Sequence, residues 1–575
     1  MQGQTAARAA LALTGALGGF CLWTVFEAAD RDWIGDYTSL ILSGLVLALF
    51  GGLLAMAGPL GLWRALPRAL VLATVAAGLL WLTRLRYADT DDFFASSIPA
   101  LAGFLVATLP VPFLIAAARS GWRDYPALFL EAWSIGLRFA AALTFTGVVW
   151  LVIILSNEVL GIVGIDWIER LLEDEFAPMV LTGAILGLGM AVIHDLAEYL
   201  SPYVVLRLFR LFLPVVLGVM AVFLVALPFR GLDGLTGGLS PALLLLTMVA
   251  AGVALVSIAV DQTDAEATQS PIQIRSAQGL ALILPVFAGL ALWAIWLRTD
   301  QHGWTPERVF VALIGGMGLG YGLVYGSAVL RGQGWMERVR QGNIRMVLVG
   351  TLLAALWLTP VLNAEKIASA NQLARFADGR ASVDTLDIHA LGRWGKPGDA
   401  ALAALEEKAR EPGQEALARL LAGEVATQLA DTTALVSRLV QLMPVQPLSA
   451  IGTRDTLLAG ADSYLLESWV RVCDTTLETG GPACLMVVAD LMPLRPGEEA
   501  MLFLQHSADY IEIVGVFLDD NGIAQTRSAV RPDGLYIDTA EAAALMRRYQ
   551  TTPAPVTAAM LNQLGTGESG LFILP

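Results

Sequence analysis

Residues 241–260, PALLLLTMVAAGVALVSIAV, contain no charged side chain. At a rise of about 1.5 Å per residue, a helix of this length is about 30 Å long, the thickness of a bilayer's hydrocarbon core. Its apolar side chains run all round the turn and not along one face, so no side of it suits water. Lipid suits it, because a helix pairs its own backbone N–H and C=O groups internally.

Ten further stretches of this kind flank it and fill the first 362 or so residues. They run from Ala9 to Phe26, Leu40 to Met56, Ala69 to Thr83, Ile98 to Ala118, Phe139 to Leu155, Phe176 to Ile193, Leu211 to Pro228, Leu280 to Leu297, Val309 to Leu330 and Val347 to Leu362. The third and the last of the eleven are short, so each either extends beyond these limits or is re-entrant. The whole composition agrees: 56% hydrophobic residues, 15% charged and a mean hydropathy of +0.64 would leave a soluble protein with far too much apolar surface. The expected fold is a polytopic α-helical membrane protein of about 11 transmembrane helices with a C-terminal soluble α+β domain. The expected divisions are a transmembrane domain over 1–363, a helical subdomain over 364–446 and an α+β subdomain over 447–575.

The formal charge of −15 is shared unevenly, for from Ala364 onward 16 Lys and Arg face 27 Asp and Glu. Phosphate neutralisation by clustered cations, the basis of nucleic-acid affinity, is therefore not expected of the tail. Arg8 before the first apolar run and Ala28 and Ala29 after it resemble a cleavable signal, but ten spans downstream favour an uncleaved anchor.

Basic residues in short loops resist translocation and so set orientation. With the N-terminus in the cytoplasm, Arg8, Arg64, Arg68, Arg119, Arg123, Arg207, Arg210, Arg275, Arg331, Arg338, Arg340 and Arg345 fall inside. Outside fall Arg31, Arg84, Arg86, Arg170, Arg230, Arg298 and Arg308, among acidic clusters such as Asp89, Asp91 and Asp92. An odd number of crossings then carries the tail to the far side, the periplasm of a bacterial inner membrane. Cys473 and Cys484 fit that oxidising address, where a bridge closing their short loop stabilises by roughly 3 kcal/mol. Two unpaired thiols in a small apolar core remain the alternative.

Between Trp122 and Leu137 the pattern predicts an interfacial helix before the fifth span, anchored by Tyr125, Phe129 and Trp133. In the tenth span Gly315, Gly316, Gly318, Gly320, Gly322 and Gly326 allow close helix packing. Within the tail, Glu365 to Met443 reads as a small helical bundle. Leu485 to Leu491, Ala500 to His506 and Tyr510 to Leu518 read as strands, Asp519 to Gly522 as a hairpin turn and Thr539 to Tyr549 as a closing helix.

No GxSxG elbow, HExxH helix or phosphate-binding loop is present, and without CxxC or clustered histidines no cysteine or histidine metal site and no cofactor is expected. Thr305, Pro306 and Glu307 read as a helix start, with Thr305 as N-cap. Trp304 and Arg308 beside it would make a headgroup or substrate clamp. No ionisable group falls at mid-span, since Arg138, Glu158, Asp195 and Arg207 lie near span ends, so an ion path is not indicated. Pro110, Pro112 and Pro285 are candidate helix breaks, which a carrier or flippase of a neutral or lipid substrate would use.

The run His302, Gly303, Trp304, Thr305, Pro306, Glu307, Arg308 resembles a Gly-x-Thr-x-x-Arg element of bacterial multi-span membrane proteins, the domain-of-unknown-function family numbered 4153. Asn371 to Leu405, with Gln372, Leu373, Gly379, Leu386, Asp387, Leu391, Gly392 and Gly395, resembles that family's post-membrane segment. The resemblance implies an inner-membrane address and no particular reaction. Val488 to Leu502 resembles related tails with an acidic turn, but Met492 and Leu494 stand where calcium would need oxygen. Membrane glycosyltransferases of the C-type fold are similar in outline. That likeness implies Asp30 or Asp32 as base or metal ligand and Arg84, Arg86 or Arg308 as the lipid-phosphate pocket. The favoured expectation is a non-catalytic protein whose external tail binds an envelope protein or lipid.

Overall fold

The computed structural model describes the chain apart from 1, 166, 174, 196–201, 237–239, 476–481, 493–496, 508–509, 520–521, 532–536, 558–562, 565–571 and 574–575. It forms two compact units, Met1–Glu411 and Pro412–Pro575.

The first unit is helical: α1 Gln2–Asp30, α2 Asp36–Leu60, α3 Leu62–Thr83, α4 Thr90–Phe94, α5 Ile98–Thr108, α6 Val111–Arg119, α7 Tyr125–Ile162, α8 Trp167–Glu173 and α9 Phe176–Asp195. It continues with α10 Pro202–Arg210, α11 Leu213–Thr236, α12 Pro241–Val260, α13 Pro271–His302, α14 Pro306–Leu330, α15 Trp335–Trp357, α16 Ala364–Ala377, α17 Ile388–Gly392 and α18 Gly395–Ala409. Among the described residues, ten helical stretches are long and apolar enough to cross a membrane, and the chain is a multi-pass membrane protein. The third, short in the sequence, fills out to Leu62–Thr83. The eleventh expected span is the apolar end of α15, whose first turns carry Glu337, Arg338, Arg340 and Arg345. These charges keep α15 out of the ten.

One apolar core joins α11 to α15 around Val249, Leu284, Phe287 and Tyr325. A second joins α1, α2, α3, α6, α7 and α9 around Met56, Ala69, Ile115 and Met190. Small residues set the closest approaches. Gly15 and Gly19 of α1 meet Gly183 and Gly187 of α9, where a Cβ on Gly15 would lie 1.9 Å from the Gly183 carbonyl oxygen and one on Gly183 2.1 Å from that of Gly15. Each helix thus presents a small-xxx-small pair, and the two backbones touch. In α14 Gly322 lies against the backbone of Pro285, so α13 runs unbroken through that proline with α14 packed onto it. Pro110 does interrupt the fourth span, between α5 and α6. The interfacial helix expected over Trp122–Leu137 is not separate: α7 is one helix of 38 residues, begun by Asp124 as N-cap. Its first turns nevertheless run along other helices' ends, with Phe129 packed on Leu206 and Ile258.

The compact units divide at 411/412, so the helices between residue 363 and that point pack with the membrane helices. The physical reason is α16, whose side chains hydrogen-bond to the α13–α14 corner and to Arg86, tying the post-membrane helices to the membrane helices. The expected bundle over Glu365–Met443 is accordingly divided.

The second unit holds α19 Glu415–Leu442, α20 Ile451–Ala459, α21 Ser463–Cys473 and α22 Thr539–Thr551 with strands β1 Val445–Gln446, β2 Cys484–Ala489, β3 Glu499–Ser507, β4 Tyr510–Leu518, β5 Ala524–Val530, β6 Val556–Thr557, β7 Gln563–Leu564 and β8 Phe572–Ile573. The main sheet has the order β1-β2-β3-β4-β5-β8, with β1 parallel to β2 and the rest antiparallel. Strand side chains alternate between faces. Met486, Val488, Leu502, Leu504 and Val516 pack under α19 to α21, and Leu485, Val487, Phe503, Ile513 and Phe517 under α22. Both faces are therefore covered. Cys473, closing α21, is bonded to Cys484, opening β2. Residues 476–481 of the loop they close lie outside the described ones.

Candidate functional site

Polar side chains of the first unit gather at two levels, one at each end of the helices. At one level, Arg86, just past α3, is 1% exposed, and its guanidinium donates to the Trp357 carbonyl and the Glu365 carboxylate. Tyr87 Oη donates to the same carboxylate at 2.6 Å. Burial, and then the Glu365 charge, pushes the Tyr87 phenol well up from its ordinary range. Lys396 Nζ donates to the Arg84 carbonyl at 2.7 Å, and the Arg84 guanidinium stacks over the Tyr37 ring at 5.5 Å.

The same level holds the α13–α14 corner. Thr305 caps α14 by accepting from Arg308 N–H, as its sequence predicts. Asn371 accepts from Trp304 N–H at 2.9 Å, and Gln372 donates to the carbonyls of His302 and Trp304. Arg375 donates to the carbonyls of Asp300 and Gln301, each at 2.7 Å. A helix end leaves its last carbonyls without internal partners and negatively polarised, so a cation from α16 is well suited to close α13.

The proposed clamp residues therefore have internal engagements. Arg308 turns back to donate to the Gly303 carbonyl at 2.5 Å, Trp304 is half-buried, and Arg86 faces Glu365. Asp30 and Asp32 lie exposed at the end of α1 and in the following turn.

At the opposite level, Asp261 follows α12 and is 0% exposed. The Arg210 guanidinium pairs with its carboxylate, and Gln262 N–H donates to that carboxylate at 2.7 Å. Burial raises the Asp261 carboxyl above its ordinary value, opposed by the Gln262 N–H and by Arg210. Arg340, from the start of α15, donates to the carbonyls of Val260 and Asp261 and pairs with Asp264 at 2.8 Å. One turn deeper, Asn343 accepts from Tyr325 Oη and donates to Tyr125 Oη at 2.9 Å. Asp261 has φ 50° and ψ −166°, a conformation that costs a non-glycine residue of order 1–3 kcal/mol and recurs at functional sites. An open cleft of about 550 Å³ borders this cluster, lined by Arg207, Arg210, Asp261, Thr268, Gln269 and Gln273.

Sequence reasoning did not find the second cluster. In the sequence Arg210 and Arg340 count only among the basic residues of the inside loops, and only the packing of α10, α12 and α15 brings them to Asp261. Among the described residues no group of three or more His, Cys, Asp or Glu is arranged to hold a metal ion.

No curated protein and no solved structure matches the chain. The profile of a domain of unknown function, DUF4153, matches residues 62–407, from the start of α3 into α18 and thus within the first unit. With more than half of its length so matched, the chain belongs to the DUF4153 family.

Proposed function

We propose that this is a bacterial inner-membrane protein without catalytic activity of its own, whose Pro412–Pro575 unit recognises an envelope partner, protein or lipid, in the periplasm. The observation that supports this reading most is the Cys473–Cys484 bond, because disulfides persist in oxidising compartments. Chain topology supports it as well. Although too polar to count by hydropathy, α15 runs from Asp261, where Arg340 is held, to Arg86, which holds the Trp357 carbonyl. Counted as an eleventh crossing, α15 supports an exit opposite the N-terminus.

The test uses the full chain in cells. A membrane-impermeant thiol reagent should label a cysteine placed at the exposed Tyr464 position (Tyr464→Cys) with the membrane intact, and a photocrosslinker at the same position should capture a discrete envelope component. Labelling only after lysis would refute the address. No crosslink under any growth condition would refute partner recognition.

A second reading, a lipid or small-molecule transporter or flippase, draws on two interrupted spans, at Leu109–Pro110 and at Leu211–Phe212. Lipid scrambling or solute flux in proteoliposomes would favour it over a purely recognising role.

A further inference from the structure

We propose that the cleft beside Arg210 and Asp261 binds a phosphate ester, with Arg207 and Gln273 as its contacts. Several hydrogen-bonding groups of the cleft are already engaged within the protein. Arg210 has its guanidinium on the Ile258 carbonyl and on Asp261, so it forms a fixed wall. Thr268 Oγ1 donates to Gln273 Oε1, which orients that amide and leaves its NH₂ group as a donor. The Gln269 NH₂ is held by the carbonyls of Asp264 and Ala267. Arg207 is exposed and has no carboxylate partner among the described residues. At the Arg207 end of the cleft the open groups are donors, the Gln273 NH₂ and the Arg207 guanidinium, whose planar fork suits two phosphate oxygens. Glu266, on the rim, accepts from Thr263 and would meet a hydroxyl or ammonium at the far end of the ester.

The volume, about 550 Å³, falls in the range of small-molecule sites. The strained Asp261 backbone gives the cleft a fixed geometry, since its carbonyl and carboxylate are held by Arg340 and Arg210 respectively. Because the cleft lies among helix ends, the same chemistry is available from two sources, a phospholipid headgroup and a soluble phosphate ester.

The experiment uses the full chain. Purified protein is reconstituted in nanodiscs of phosphatidylcholine alone or in equal parts with phosphatidylglycerol, and native mass spectrometry counts retained lipid. In detergent, glycerol 3-phosphate is titrated against the unfolding temperature. Arg207→Gln, on an exposed position, should unfold like the wild type without ligand, yet bind about ten- to a hundredfold more weakly. Retention of phosphatidylglycerol that Arg207→Gln abolishes supports the site with lipid as its source. Stabilisation by glycerol 3-phosphate without lipid retention supports it with a soluble ester. Absence of both, or equal binding by wild type and Arg207→Gln, overturns the proposal. Gln273→Leu, weakening binding without lowering the ligand-free unfolding temperature, is the second check; no change in its binding removes Gln273 from the site.

Discussion

Glu365→Leu should be among the most damaging single changes in the first unit. Arg86 is 1% exposed and the Glu365 side chain 6%, so removing the carboxylate strands a guanidinium away from water. Leaving one partner of a buried pair unmatched typically costs about 3–5 kcal/mol, whereas replacing both partners by apolar groups is often neutral. Tyr87 Oη also loses its acceptor, at about 1–3 kcal/mol in either background. The combined Arg86→Met, Glu365→Leu protein should therefore be more stable than Glu365→Leu alone, with a coupling of at least about 2 kcal/mol. Equilibrium unfolding by sodium dodecyl sulfate from mild detergent micelles, followed by tryptophan fluorescence, measures all four corners of the cycle. Additivity of the two single changes within about 0.5 kcal/mol would show that the residues do not form a buried pair, and the account of α16 as tied to the membrane helices would lose its main contact.

Three other outcomes are expected. Gly183→Leu places side-chain atoms where the Gly15 carbonyl stands, so α1 and α9 must separate, and the unfolding free energy in the same assay should fall by about 1–3 kcal/mol or more; a wild-type value contradicts the seam. Replacing Cys473 and Cys484 by serine should lower the stability of the second unit by about 3 kcal/mol, read as earlier onset of proteolysis at sites after Pro412 in the full chain. In the same unit, burial raises the Glu499 carboxyl above its ordinary 4.5, against the pull of the Leu491 and Met492 N–H groups. A carboxyl raised on folding gives a contribution that is complete below the unfolded value and lost as pH climbs through the folded one. Glu499→Gln keeps an oxygen for both N–H donors, so relative to wild type it should gain stability as pH rises from 4.5 towards neutrality; a difference that runs the other way refutes the assignment.

The sequence by itself determined the membrane class, the order and approximate limits of the spans, and three central strands of the second unit, β2 to β4, with Tyr510–Leu518 matching at both ends, while β1 and β5 to β8 were not legible in it. Span hydropathy and strand alternation are local properties that survive without knowing any neighbour. So is the Thr305 cap, in which the side chain reaches a backbone group three residues away. Tertiary structure alone decided that the post-membrane helices belong with the membrane unit, that α1 and α9 press glycine on glycine, and that Arg210, Asp261 and Arg340 meet at one cleft. Arg86 and Glu365 stand 279 positions apart, and nothing in the residues around either names the other. A buried charge chooses its partner through the cost of leaving water, and that cost acts only once the helices have brought both groups out of it.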